Sequence, residues 1–286
     1  MPQKRSIVLV VLAMLAFAGN SLLCRMALEQ TEIDPASFTA IRLISGAVML
    51  GLVVVLRGGA KVGAGNWVSA IALFAYAAGF SFAYVSLSTA TGALVLFGAV
   101  QITMIGHGLW AGERLRGPQM AGALLAFAGL VGLLLPGLSA PPLHGAVLML
   151  GAGLAWGVYS LRGRRAGNPT QVNAGNFLRT VPIALVLALL MFKDLSLDGA
   201  GVGYAIASGA LASGIGYAIW YAALPALKAT TAAVVQLGVP LIAAMGGIVF
   251  LAEPVTLRLA LASAAVLGGI AVVLLQRDQT PANEVD

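Results

Sequence analysis

The chain has 286 residues, of which 60% are hydrophobic and only 9% are charged, and its formal net charge is +6. A soluble domain carries about 25% charged residues and must cover its surface with polar groups, so this composition excludes an ordinary soluble protein and indicates an integral membrane protein. The single cysteine, Cys24, excludes an internal disulfide and a cysteine-based metal site.

Ten apolar segments are each long enough to cross a bilayer as a helix, which takes about 20 residues. In chain order the predicted spans are Ser6–Ala27, Pro35–Leu56, Asn66–Leu87, Thr91–Trp110, Pro118–Leu135, His144–Leu161, Asn173–Phe192, Gly199–Leu224, Thr230–Leu251 and Thr256–Gln276. The connections between them are short, so no separate extramembrane domain is expected. The polar residues 278–286 are predicted to form a disordered cytoplasmic tail.

Loop charges predict which side of the membrane each connection occupies. With the amino terminus in the cytoplasm, eleven Lys and Arg side chains fall on the cytoplasmic side and two on the other, as the positive-inside rule requires. The eleven are Lys4, Arg5, Arg57, Lys61, Arg114, Arg116, Arg162, Arg164, Arg165, Lys228 and Arg277, and the two are Lys193 and Arg258. We therefore expect a multi-pass protein of a bacterial inner membrane with both termini in the cytoplasm.

The two halves of the sequence resemble each other in order. The matched pairs, at offsets of 140 and 137 residues, include Glu113 with Glu253, Arg42 with Arg179, Phe80 with Tyr217, and Tyr84 with Tyr221. Because each half holds an odd number of spans, the second copy must enter the membrane from the opposite side. Such an inverted repeat is typical of secondary transporters, which bind substrate between the halves. The predicted fold is therefore all-α, with two inverted five-helix repeats, 1–137 and 138–277, around a central cavity.

The first segment also has features of a cleaved secretory signal. Lys4 and Arg5 precede an apolar run that contains the small-residue pattern at positions 16–18. The run continues past that pattern, and Phe17 matches the internal Trp156 at an offset of 139 residues. The match favours a retained first helix.

Each half carries a Glu near the end of its fourth predicted helix, in Ala111-Gly112-Glu113-Arg114 and Leu251-Ala252-Glu253-Pro254. Together with ten helices in two five-helix copies, this pattern resembles the drug/metabolite transporter superfamily and its EamA-type branch, over nearly the whole chain. The opening segment and the overall size look similar to the YddG-type bacterial exporters of aromatic amino acids. The resemblance implies a basket of helices around a central cavity, with the fifth and tenth helices at the periphery.

Aromatic side chains recur at helical spacing on the third, sixth and eighth predicted helices. They are Tyr76, Phe80 and Tyr84, then Trp156 and Tyr159, and then Tyr217 and Tyr221. Core packing or an interfacial belt is the alternative interpretation, but Tyr76 and Phe80 lie near the middle of their span. We expect these stripes to line the cavity and to offer ring faces and hydroxyl groups to an amphipathic or cationic ligand.

Polar side chains within a span usually face a cavity or a partner helix, because lipid cannot solvate them. The other predicted cavity residues are Asn20, Arg42, Gln101, Asn176, Arg179 and Gln236. For each of them an interhelical hydrogen bond remains an alternative. The arginine pair could snorkel, bind a carboxylate or phosphate, or act as a structural or gating element. Its presence in both halves favours the structural or gating role.

Three further residues are predicted to gate or brace the helices. Glu113 and Glu253 are expected to cap helix connections on opposite faces, and Pro240 to kink the ninth helix, as a hinge or as an ordinary bend. The sequence has no Asp or Glu in the middle of a predicted span, and His107 is the one titratable candidate there. We therefore expect gradient-driven movement rather than obligatory proton antiport.

These features together favour an exporter of small metabolites, with amino acids, and aromatic ones in particular, as the first substrates to consider. Efflux of cationic drugs, transport of phosphosugars and a structural membrane role remain alternatives. An enzyme is not expected, because the chain has two histidines, one cysteine and no HExxH or GxSxG pattern. The expected partners are a small-molecule substrate and the lipid bilayer, with no nucleic acid, no cofactor and no metal, in a monomer or homodimer.

Overall fold

The computed structural model describes residues 3–58, 64–110, 112, 117–135, 140–163, 168–223 and 235–277. Within them the chain forms ten main helices. These are α1 (Gln3–Gln30), α2 (Pro35–Leu56), α3 (Trp67–Tyr84), α4 (Thr89–Trp110), α5 (Gly117–Leu134), α6 (Leu143–Gly163), α7 (Pro169–Leu190), α8 (Gly199–Ala223), α9 (Gly238–Leu251) and α10 (Leu257–Arg277). The predicted ten-helix membrane fold is confirmed.

Length and apolar composition explain why these helices suit a bilayer. The eight helices from α1 to α8 have sufficient length and hydropathy to cross a membrane, and Gly238–Leu251 and Leu257–Val273 are shorter apolar helices. Large apolar side chains such as Val48, Leu189 and Val249 are exposed on helix surfaces. A continuous apolar exterior of this kind is stable only against lipid.

Asx side chains fix the beginnings of four helices. Asp34, Asn66, Asn168 and Asp198 each accept backbone N–H groups from the first turn of α2, α3, α7 and α8. Such caps satisfy amide groups that have no partner within the helix. They also explain why α7 begins at Pro169 rather than at the predicted Asn173.

Contacts between the two halves follow a two-fold pattern. The helix pairs that join the halves include α2 with α7, α3 with α6, α1 with α8, α2 with α8, α3 with α7, α4 with α6, α1 with α9, α4 with α9, and α5 with α10. Replacing each helix by its equivalent in the other half leaves this set unchanged, since α3–α6 becomes α8–α1 and α4–α6 becomes α9–α1. The two repeats are therefore related by one two-fold operation, with α5 and α10 packed on each other.

The packing of α5 against α10 shows that the two repeats run in opposite directions. Gly122 of α5 lies against Gly269 of α10, where a Cβ on Gly122 would lie 2.6 Å from the Gly269 carbonyl oxygen. Further along α5, Gly129 lies against Ala265. Residue numbers rise in one helix as they fall in the other, so the equivalent helices are antiparallel, as an inverted repeat requires.

A π-helical stretch, Ala207–Ile215, interrupts the middle of α8. It packs on α2, where Gly209 lies directly against the backbone carbonyl of Arg42 and leaves no room for a Cβ. Such stretches are rare and occur often at functional sites. The apolar pattern of the sequence gives no sign of this stretch, because a widened helical turn leaves that pattern almost unchanged.

Candidate functional site

Arg42 of α2 is enclosed in the middle of the bundle, with 1% of its surface exposed. Its Cζ lies 4.8 Å from the Phe80 ring centroid and 5.2 Å from the Tyr76 ring centroid. The Nη2 group donates to the Tyr76 hydroxyl at 3.1 Å, whereas Nη1 is buried without a hydrogen-bond partner in the described part of the chain. The ion pairs found among the described residues involve Arg25 and not Arg42. A cation buried in this way lacks its anion.

A chain of hydrogen bonds joins Arg42 to three other helices. Asn20 of α1 donates from Nδ2 to the Tyr76 hydroxyl of α3 at 3.3 Å. Ser208, in the π-helical stretch of α8, donates to Asn20 Oδ1 at 2.7 Å. Both Arg42 and Asn20 therefore converge on one hydroxyl group, and the network ties both halves of the molecule to the same point.

A small central cavity lies beside this network. Its volume of about 20 Å³ holds about one water molecule. It is lined by Phe17, Asn20, Ser21, Tyr76, Phe80, Leu96, Phe97, Trp156, Ala212, Tyr217 and Gln236. Six of the predicted cavity residues meet here. Arg42 does not line the cavity, but it packs against Tyr76 and Phe80, which do.

The cavity wall is largely aromatic. The ring centroids of Tyr76 and Trp156 are 4.8 Å apart, those of Trp156 and Tyr217 are 5.2 Å apart, and those of Phe17 and Tyr217 are 5.8 Å apart. Phe17 is not among the predicted cavity residues, although its repeat partner Trp156 is. The alignment of the two repeats, which pairs Phe17 with Trp156, is therefore a sequence signal for Phe17. Phe97 has no such signal, because its equivalent position holds Leu237.

A second polar cluster lies towards the face of the bundle that carries both termini, here called the termini face. Asn173 and Asn176 both contact the Tyr159 hydroxyl, and Asn176 Oδ1 accepts the Asn66 backbone N–H at 3.0 Å. Tyr221 also borders this cluster, which encloses about 30 Å³. The predicted residues Tyr159, Asn176 and Tyr221 therefore belong to a closure of the termini face rather than to the central cavity.

Arg179 occupies a different environment from its repeat partner Arg42. Its Nη1 group donates to the carbonyl oxygens of Ala64 at 3.0 Å and Gly175 at 2.8 Å. These bonds hold the segment before α3 against α7. The arrangement fits the structural role that the sequence favoured for the pair, but only for this member of it.

The opposite face, here called the far face, is closed around Glu253. Its carboxylate accepts the Thr89 backbone N–H at 2.8 Å and the Thr89 hydroxyl at 3.0 Å, which caps the beginning of α4. Arg25 Nε lies 3.6 Å from the same carboxylate, and Arg25 Nη1 donates to the Tyr84 carbonyl oxygen at 2.9 Å. This Glu253 contact joins α1 and the beginning of α4, in the first half, to the turn after α9, in the second.

The remaining predicted residues lie elsewhere. Tyr84 donates to the Thr89 carbonyl oxygen at 3.3 Å and so belongs to the far-face closure. Gln101 lines a separate crevice. Pro240 lies in the first turn of α9, where its missing N–H costs no helical hydrogen bond. Glu113 lies outside the described residues.

Acidic side chains also join two far-face loops. Asp198 accepts the Glu32 backbone N–H at 3.0 Å and Asp34 accepts that of Ser196 at 3.1 Å. The Gly201 backbone amide, which donates to Asp198, lowers the pKa of this carboxyl below its ordinary value.

The sequence model of the EamA-like transporter family matches residues 4–135 and 143–275. The chain therefore belongs to the EamA-like transporter family, a class of multi-pass membrane proteins that move small molecules. Its two matched segments correspond to the two halves described above.

Several relatives are similar over different shares of the chain. An uncharacterized protein of Pseudomonas aeruginosa is 58% identical over 97% of both chains. An uncharacterized transporter of Archaeoglobus fulgidus is 28% identical over 83% of this chain and 86% of its own. The threonine/homoserine exporter RhtA of Salmonella typhimurium is 36% identical over 40% of this chain and 39% of its own. A solved crystal structure shares the fold, with a TM-score of 0.70 and 23% identity over 97% of this chain and all of its own.

Proposed function

We propose that this protein exports amino acids across a bacterial inner membrane, and that Arg42 receives the substrate carboxylate. The observation that carries the proposal is the buried guanidinium with an unpartnered Nη1 group beside the central cavity. A guanidinium fork matches a carboxylate in shape and charge, and such bonds strengthen away from water. The substrate carboxylate would supply an anion for this guanidinium.

The aromatic wall accounts for the rest of such a substrate. Tyr76, Trp156 and Tyr217 offer ring faces within contact of one another, which suits an apolar or aromatic side chain and a primary ammonium group. The name of the partial relative RhtA, a threonine/homoserine exporter, supports the amino acid class. The aromatic lining favours phenylalanine, tyrosine and tryptophan over aliphatic hydroxy amino acids such as threonine at this site.

Transport follows from alternate opening of two closures. The Glu253 contact closes the far face, and the cluster around Tyr159 lies towards the termini face, with the central cavity between them. A cavity that holds about one water must widen before an amino acid enters.

We place both termini in the cytoplasm, as the loop charges predict. No described carboxylate borders the central cavity, which favours movement down the substrate gradient.

The charge of the site argues against the two other substrate classes. A cationic drug would meet Arg42 without a nearby carboxylate to offset the repulsion. A phosphosugar carries about two negative charges, whereas Arg42 is the single cation that packs on the aromatic lining of the cavity among the described residues. One guanidinium fits one carboxylate.

The test is counterflow into proteoliposomes of the purified full chain. Labelled phenylalanine should exchange with unlabelled phenylalanine, and phenylethylamine, which lacks the carboxylate, should not compete. Arg42→Gln should reduce exchange at least tenfold, and Arg42→Lys should retain part of it. Preferential transport of phenylethylamine, or of a sugar phosphate, would replace the proposal with one of its alternatives.

A further inference from the structure

A second cavity lies on the outer side of α4, where this helix meets α5 and α10. Its volume is about 190 Å³, and its walls are almost wholly apolar, with Ile105, Leu130 and Ile270 among them. It is lined by exposed residues such as Ile102 and Phe127, so it opens on the lipid-facing surface. It is separate from the central cavity, and it is called the α4 crevice below.

One polar side chain, that of Gln101, borders the α4 crevice. Gln101 is 1% exposed, and its amide Nε2 is buried with no hydrogen-bond partner in the parts of the chain that the structure describes. A buried amide without a partner costs about 1–3 kcal/mol, so a donor left in this state indicates a missing acceptor. The equivalent position of the second half holds Leu241, so the donor is not a requirement of the repeat.

Water does not suit this cavity. A buried water needs two to four polar partners, whereas the α4 crevice offers the amide of Gln101 amid apolar side chains. Apolar cavities of about 150 Å³ stay dry and bind compounds such as benzene. The natural occupant is therefore an apolar molecule with one acceptor atom, and the opening towards lipid gives it a route.

We propose that the α4 crevice is a second binding site, for a lipid-soluble molecule that carries a carbonyl oxygen and enters from the bilayer. The Gln101 side chain turns its buried Nε2–H group towards the occupant, whose carbonyl oxygen accepts it, and the apolar body fills the space between α4, α5 and α10. The occupant would contact the same helix that supplies Leu96 and Phe97 to the central cavity. The proposal does not depend on the transported substrate.

The test uses benzophenone as a photoreactive probe on the full chain in lipid nanodiscs. Its excited carbonyl removes a hydrogen atom from a nearby C–H bond, and the two radicals join as a C–C bond. Label should appear on peptides of α4, α5 and α10. Phenyl benzoate, which carries a carbonyl, should compete, and bibenzyl, a hydrocarbon of similar size, should compete several-fold less well.

Two variants and one matched control complete the experiment. Gln101→Leu installs the residue of the equivalent second-half position and should reduce labelling about three- to tenfold, which corresponds to one lost hydrogen bond. Gly106→Leu should fill the crevice and abolish labelling, since a Cβ there meets no atom within 4 Å. Gly151→Leu, at an exposed and equally open position of α6, should leave labelling unchanged.

Labelling of other segments, equal competition by bibenzyl, or full labelling of both variants would overturn the proposal. Thermal unfolding of each variant shows whether it is folded. If one crevice variant unfolds, the other decides the outcome, because the two act by independent means.

Discussion

Gly112 and Ala252 occupy equivalent positions in the two halves, and both have a positive φ, of 92° and 51°. Ala252 ends α9 in a left-handed conformation, and the next residue, Glu253, returns its backbone N–H to the Gly247 carbonyl oxygen at 3.1 Å. This turn brings the Glu253 carboxylate back over Gly247 and onto Thr89. The residue before each repeated Glu therefore adopts a positive φ, which side chains with a Cβ disfavour.

Ala252→Gly should stabilise the protein. Alanine with a positive φ is strained, and glycine adopts this conformation without a Cβ penalty, so we expect a gain of about 0.5–1 kcal/mol in the free energy of unfolding. Ala128→Gly, on the exposed face of α5, is the control and should destabilise by about 1 kcal/mol. Denaturant unfolding in detergent measures both, and a loss of stability in Ala252→Gly would contradict the strain at this turn.

Glu253→Gln should loosen the far face. The variant removes the negative charge that Thr89 and Arg25 share, which weakens the cap on α4 and the ion pair together. Cys24, the single cysteine of the chain, is buried next to Arg25 and reports on this opening without engineered thiols. We expect its reaction with a water-soluble maleimide to accelerate several-fold.

Glu29→Gln is the matched control for that experiment. Glu29 pairs with Arg25 at 2.8 Å but is partly exposed and one turn from it on the same helix. Exposed pairs of this kind contribute less than about 1 kcal/mol. Equal acceleration in the two variants would show that the α4 cap does not hold the far face closed.

Arg42 and Arg179 should respond differently to replacement by leucine. Arg42→Leu should abolish amino acid exchange while leaving the thermal midpoint unchanged or higher, because it removes a buried charge that lacks an anion. Arg179→Leu should lower the midpoint, because the Ala64 carbonyl group loses the guanidinium that ties the segment before α3 to α7. Thermal unfolding and counterflow on both variants separate the roles. A lower midpoint for Arg42→Leu would assign it a structural role instead.

Gly92→Ala should be among the more damaging single-methyl changes. A Cβ at Gly92 would lie 2.7 Å from Cζ of Tyr84, a fully buried ring that cannot move aside. We expect a loss of about 1–3 kcal/mol in the free energy of unfolding. Gly19→Ala, where a Cβ meets no atom within 4 Å, should be neutral or stabilising. Tyr84→Leu should relieve part of the Gly92→Ala defect, and additive losses would exclude this contact.

Part of the cavity lining is predictable from helical spacing and from the repeat. Spacing of i and i+4 places Tyr76 and Phe80 on one face of α3, and the repeat adds Tyr217, so the sequence alone predicts these three lining residues. The same pattern also selected Tyr84, Tyr159 and Tyr221, which lie along the same stripes but nearer the helix ends. A stripe fixes the face of a helix, and it does not show where along the axis the neighbouring helices leave a space.

The sequence by itself determined the ten helices, their two-copy arrangement and the family. The length of each apolar segment, the charges of each loop and the order of the matched residues can all be read along the chain without knowing which helices touch. Only the tertiary structure decided that Arg42 has no anionic partner among the described residues while Arg179 donates to two carbonyl oxygens, although the repeat makes the two arginines equivalent. It also decided that Gln101 borders the α4 crevice rather than the central cavity. A polar residue in a span must find a partner, but which helix supplies that partner depends on packing across the two halves.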